Sequence, residues 1–118
     1  MGEVIEINQK RFFTLDEARY LLPIVRRVTK HAFSEVKKLS TQLSYVRDRA
    51  KKVAVEDKIK NAVQEWQQKI KKLGCEAKGM WLVDFDSGEG YYCWHYPEPN
   101  IQFFHGYFDG YSGRVRIH

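Results

Sequence analysis

The sequence predicts an α+β fold: a kinked, coiled-coil-like long helical hairpin packed on a small C-terminal three-stranded antiparallel β-sheet. Three observations carry this. Residues 24–73 contain neither Gly nor Pro and repeat apolar side chains every three or four positions. From residue 78 onward the chain holds 11 of its 17 aromatics and two of its three prolines, in short runs divided by turn residues. Charge also divides the chain. Residues 1–77 carry 17 Lys/Arg against 10 Asp/Glu, hence +7, and residues 78–118 carry 3 against 5, hence −2.

Residues 1–13 read as an N-terminal extended segment with two β-leaning runs, Val4–Ile7 and Arg11–Phe13. The helical hairpin spans 14–77. It opens at Thr14-Leu15-Asp16-Glu17, the capping-box spacing, in which the hydroxyl of the first residue and the carboxylate of the fourth each accept from the other's backbone N–H. Pro23 lacks an N–H and crowds the carbonyl four residues back, so it predicts a kink or a short helix ending there. Val25, Val28, Ala32, Val36, Leu39, Leu43, Val46, Ala50 and Val53 then form a seam. Continuing it would bury Asp57 and Lys60, whereas Ile59, Val63, Trp66, Ile70 and Leu73 start a new register. The phase break places a turn near 54–58; the alternative is one unbroken helix that must dimerise. Gly74 suits the left-handed C′ position, after the basic residues Lys69, Lys71 and Lys72.

Residues 78–118 form the aromatic-rich β region. Met80–Phe85, Tyr91–Tyr96 and Ile101–Gly106 read as strands, with turns at Asp86–Gly90 and Pro97–Asn100; Val115–Ile117 reads as a short closing extended segment. Three strands alone are marginal, so they must pack on the helices near Pro23, leaving the hairpin tip to project. The chain is thus expected to be a single domain.

Composition narrows the classes. A chain of 118 residues with 43% apolar side chains is not globally disordered. No apolar run approaches the ~20 residues of a membrane span, and Met1–Ile7 has acids and no long apolar stretch, which predicts no secretory leader. Two cysteines, Cys75 and Cys93, then read as reduced thiols of a cytoplasmic protein. The sequence pI of about 9.2 suits weak attraction to polyanions.

Two stretches resemble the bacterial domain-of-unknown-function family 2203. They are Arg11–Ala18 followed by Leu21-Leu22-Pro23, and Leu82–Phe85 followed by Cys93-Trp94, Glu98, Ile101, His105, Gly110, Gly113-Arg114 and Ile117. The resemblance implies a helical region joined to a small β-rich tail and supplies no activity. His95 departs from the family's pattern, which is more often basic there.

The candidate ligand or metal site is Cys93, Glu98, His105 and Arg114. Strand alternation puts Tyr91, Cys93 and His95 on one face, and Ile101, Phe103 and His105 on one face of the next strand. If these faces coincide, thiolate, imidazole and carboxylate converge as zinc or other transition-metal ligands, or Cys93 and His105 pair as an activated thiol. Neither spacing is a signature motif, and a buried apolar Cys93 beside a hydrogen-bonded His105 explains the same residues. Arg114 is expected to pair with Asp84 or Glu98, or to orient an anionic ligand. On the helices, Arg26, Arg27, Lys30, Lys37, Lys38, Arg47, Arg49, Lys51 and Lys52 form a positive face, read as solvated rather than as a nucleic-acid surface. The leading functional expectation is a non-enzymatic interaction or scaffold module that forms a homodimer, or binds a protein partner, through helical surfaces. The alternatives are a metal- or small-ligand-binding protein, or an enzyme, with its site in the β region, and a weak nucleic-acid binder through the basic helices.

Overall fold

The computed structural model describes residues 11–118, so the expected strand at Val4–Ile7 lies outside the described residues. Two long helices lead: α1, Leu15–Tyr45, and α2, Arg49–Lys72. They are followed by β1 (Glu76–Ala77), β2 (Leu82–Asp86), β3 (Tyr91–His95), β4 (Phe103–His105), a 3-10 turn at Tyr111–Gly113 and β5 (Val115–Arg116). The strands form one antiparallel sheet in the order β1-β2-β3-β4-β5. It therefore has five strands, not three. The two outer strands are two residues each, too short to leave an alternating pattern in the sequence.

Helix α1 begins as its capping box requires. The Thr14 hydroxyl accepts from the Glu17 N–H at 3.1 Å, and the Glu17 carboxylate accepts from the Thr14 N–H at 2.9 Å. Pro23 lies inside this helix and does not end it. The buried face of α1 is Ala18, Leu22, Val25, Thr29, Ala32, Val36 and Leu39. Its steps alternate strictly between four and three, because Thr29 and not Val28 is the fully buried residue. The hydroxyl of Thr29 is satisfied there: it accepts from the Trp66 indole N–H at 2.8 Å.

The chain reverses at 46–48, and α2 runs unbroken through 54–58. The expected turn at 54–58 is thus corrected. Asp48 supplies the physical reason, since its carboxylate accepts the Lys51 N–H at 2.9 Å and caps α2. With the reversal that early, α2 takes its own register, burying Val55, Trp66 and Ile70 while Asp57 and Lys60 face solvent. The C-terminus of α2 is a Schellman motif: Gly74 N–H donates to Lys71 O at 2.9 Å and Cys75 N–H to Ile70 O at 3.2 Å. Gly74 has φ +89°, and a Cβ there would sit 2.6 Å from Arg11 Cδ.

The sheet packs one face on the helices. Val83, Phe85 and Trp94 join Leu22, Val25, Trp66 and Ile70 in a single core. Trp81 is the hinge of this contact. Its ring meets Phe33 at 5.9 Å and Trp66 at 5.0 Å, and its backbone sits at φ +71°, a region side-chain-bearing residues rarely adopt. Arg19 and Arg26 tie α1 to the loop before β4, donating to the carbonyls of Ile101, and of Glu98 and Pro99. Ala18, Leu22 and Val25 are sealed by this packing. The sheet thus covers this apolar stripe of α1, while Tyr20 and Ile24 of the same helix stay exposed.

Candidate metal centre

The sheet's other face is polar and nevertheless buried. Alternation sends Val83 and Phe85 of β2 into the core and turns Asp84 and Asp86 the other way. On β3 it sends Trp94 inward and Cys93 outward. The register makes Asp84 the direct cross-strand neighbour of Cys93, and Tyr91 that of His105. His105 on β4 thus lies diagonal to Cys93, and its ring spans β3 to reach Asp84 on β2.

Asp84, Cys93 and His105 come together here, with one donor atom from each lying within 4.8 Å of the others. They are 1%, 0% and 3% exposed. His105 Nε2 stands 3.1 Å from both Asp84 oxygens. His105 Nδ1 is 2.9 Å from the carbonyl oxygen of Gly106, which can only accept, so Nδ1 carries a hydrogen. The tautomer question is then narrow. Nε2 faces a carboxylate, and something positive must stand between them: a proton, or a metal ion. A backbone carbonyl holding Nδ1–H so that Nε2 is presented to a cation is the usual outer support of a metal-binding histidine.

The electrostatics fit a shared cation. Burial raises the Asp84 carboxyl above its ordinary value, against the opposing pull of His105, of hydrogen bonds from His105 and Cys93, and of Lys78. Burial pushes the Cys93 thiol up to about 12; the Asp84 charge adds to this, and Arg114 works against it. Around the cluster, Lys78 Nζ lies 4.0 Å from Asp84 Oδ2 and 3.4 Å from Glu76 Oε1. Tyr91 donates to Glu76 Oε1 at 3.2 Å, and Tyr107 donates to Asp86 Oδ1 at 2.6 Å, closing the cluster from the C-terminal loop.

Glu98 and Arg114 make a separate pair. Arg114 Nη2 donates to Glu98 Oε2 at 2.6 Å, and the other Glu98 oxygen accepts the His95 N–H at 2.8 Å. The Arg114 guanidinium lies over the Phe103 ring at 3.9 Å and the Tyr111 ring at 4.6 Å. The turn after β3 folds Glu98 back onto this pair, its N–H donating to His95 O at 2.7 Å. Of the four residues singled out from the sequence, Cys93 and His105 therefore meet each other, while Glu98 and Arg114 lock the adjoining turn. Ile101 does not share the His105 face: it precedes β4 and is buried in the core. The third member of the cluster is Asp84, which sequence reasoning assigned to the Arg114 pairing. The turn of four residues between Asp86 and Tyr91 is the signal that finds it, because a symmetric hairpin of that length sets Asp84 opposite Cys93.

The architecture defines a class, a two-helix hairpin seated on one face of an antiparallel meander whose other face hides an Asp–Cys–His cluster. The chain belongs to the family described as uncharacterized conserved protein (DUF2203), whose model matches residues 11–117. No curated protein and no solved structure matches the chain.

Proposed function

We propose that this protein binds one divalent transition-metal ion of the zinc class through Asp84, Cys93 and His105. The observation that carries the reading is the convergence of three donors of different chemistry on a point where His105 Nε2, its tautomer fixed by Gly106, faces a carboxylate. Zinc takes oxygen, nitrogen and sulfur donors at about 2.0–2.3 Å. Drawing donors from within 4.8 Å to tetrahedral spacing asks for shifts of about 1 Å. Binding replaces the thiol proton of Cys93 and the proton between Asp84 and His105, so affinity rises with pH. Arg114 favours the thiolate by its charge. Three protein ligands leave a fourth position for water or another small ligand. With the donors 0–3% exposed, the site has no access for an organic substrate, and the ion's work is to staple β2, β3 and β4 together.

Cobalt(II) titration of the metal-stripped protein tests this. The expected result is one equivalent bound, with a thiolate-to-cobalt charge-transfer band that Cys93→Ser removes. His105→Ala is expected to weaken binding about 10–100-fold or more, and Glu98→Gln to leave the spectrum unchanged. A folded wild-type protein that takes up neither cobalt nor zinc would overturn the reading and leave a buried, proton-bridged Asp84–His105 pair.

A further inference from the structure

Four cations cluster within six residues at the turn of the helical hairpin. In the body, Arg114 pairs with Glu98, Lys78 with Glu76 and Asp84, and Arg19 and Arg26 donate to loop carbonyls. At the far end of the hairpin Arg47, Arg49, Lys51 and Lys52 are all exposed, and among the described residues none has an ion-pair or side-chain hydrogen-bond partner, a state they share with helix-surface cations such as Arg27, Lys30, Lys37 and Lys71. The local acids are Asp48, Glu56 and Asp57. Asp48 is engaged as the cap of α2, Glu56 lies among the cations, one turn after Lys52, and Asp57 is exposed beside it in the chain.

The placement runs against helix stability. The first turn of α2 holds no acid, and Arg49, Lys51 and Lys52 stand where the helix dipole is already positive. The Asp48 cap offsets part of this, yet four cations within six residues stay exposed at the tip. Arg47, Arg49, Lys52, Val53 and Glu56 line a recess of about 430 Å³ at this end. Tyr45, two residues before Arg47 in the chain, is 81% exposed. Buried apolar residues extend to Leu39 on α1 and Val55 on α2, and the core shared with the sheet ends at Val36, so these groups lie toward the end of the hairpin that the sheet does not cover.

We infer that the hairpin tip is a binding surface for single-stranded nucleic acid. Guanidinium forks and ammonium groups take the phosphates, and the Tyr45 ring stacks on a base. Two helices side by side are about 20 Å wide, more than the ~12 Å of a duplex major groove, so the tip tracks a flexible strand rather than entering a duplex. An anionic membrane is the less suitable partner, since Val53 and Tyr45 are the only exposed large apolar residues at the tip among the described residues.

Fluorescence anisotropy of the full chain with a labelled mixed-sequence DNA single strand tests the inference. Wild type is expected to bind at low salt, with log affinity falling linearly in log salt. Arg47→Gln with Arg49→Gln should weaken binding about tenfold or more and reduce the salt slope by about 1.4, at about 0.7 per lost contact. Tyr45→Ser should weaken binding and leave that slope unchanged. Lys71→Gln with Lys72→Gln removes the same charge at the other end of α2 and should change affinity less than twofold. Circular dichroism checks that each variant is folded. No binding by wild type at low salt, an equal loss from the Lys71/Lys72 variant, or preferential binding to phosphatidylserine vesicles over the strand would each overturn the inference.

Discussion

Cys75 shows how one residue makes stability depend on pH. Burial pushes its thiol from 9.0 up to about 12, with Arg11 pulling the other way and Glu76 adding to the rise. An unfolded chain ionises this thiol above about pH 9, whereas the folded chain keeps it protonated until about pH 12. Its contribution is whole below pH 9 and is lost as pH rises from 9 to 12. Urea midpoints of the metal-free protein should therefore fall across that window, and Cys75→Ala should flatten the fall in part, with Cys93, raised likewise, contributing to what remains. Thr29 offers a second test. Thr29→Val keeps the shape and strands the Trp66 indole N–H in the core, at a cost of about 1–3 kcal/mol. Adding Trp66→Phe should recover part of it, and a double-mutant cycle by denaturant unfolding measures the coupling.

At the scale of elements, the caps are where sequence and structure agree most closely. Thr14 and Glu17 close α1 and Gly74 closes α2, because each cap is a short-range contract between neighbouring residues. Thr14→Ala should cost about 0.5–2 kcal/mol, and Gly74→Ala more than about 1 kcal/mol, since φ +89° and the nearby Arg11 side chain both oppose a Cβ; thermal melts read both. The three central strands were legible from alternation and turn residues, and β1 and β5 were not, being only two residues each. The hairpin turn was misread for a different reason. Residues 46–48 contain no Gly or Pro, and Asp48 as an N-cap is a weaker mark in the sequence than the later change of apolar phase. The site divides in the same way. Alternation alone places Cys93 and His105 on one side of the sheet, but Asp84 enters only through strand register, and Glu98 leaves only because its turn folds back to His95 and Arg114.

Across the whole molecule, helices and sheet depend on one another. Trp81 reaches Phe33 on α1 and Trp66 on α2 from a strained backbone position between β1 and β2. Trp81→Ala should cost about 3–5 kcal/mol, seen as a loss of cooperativity in melts followed separately by helix and aromatic signals. Among the described residues no helix is long and apolar enough to cross a membrane. The meander also ends well on both sides. Its outermost strands, Glu76–Ala77 and Val115–Arg116, expose backbone over two residues each, and each carries a charged side chain. A foreign β-segment finds almost no ladder there to extend. A tail so rich in aromatics, which as an isolated peptide would invite fibrillar stacking, is held instead as a closed and self-limiting unit.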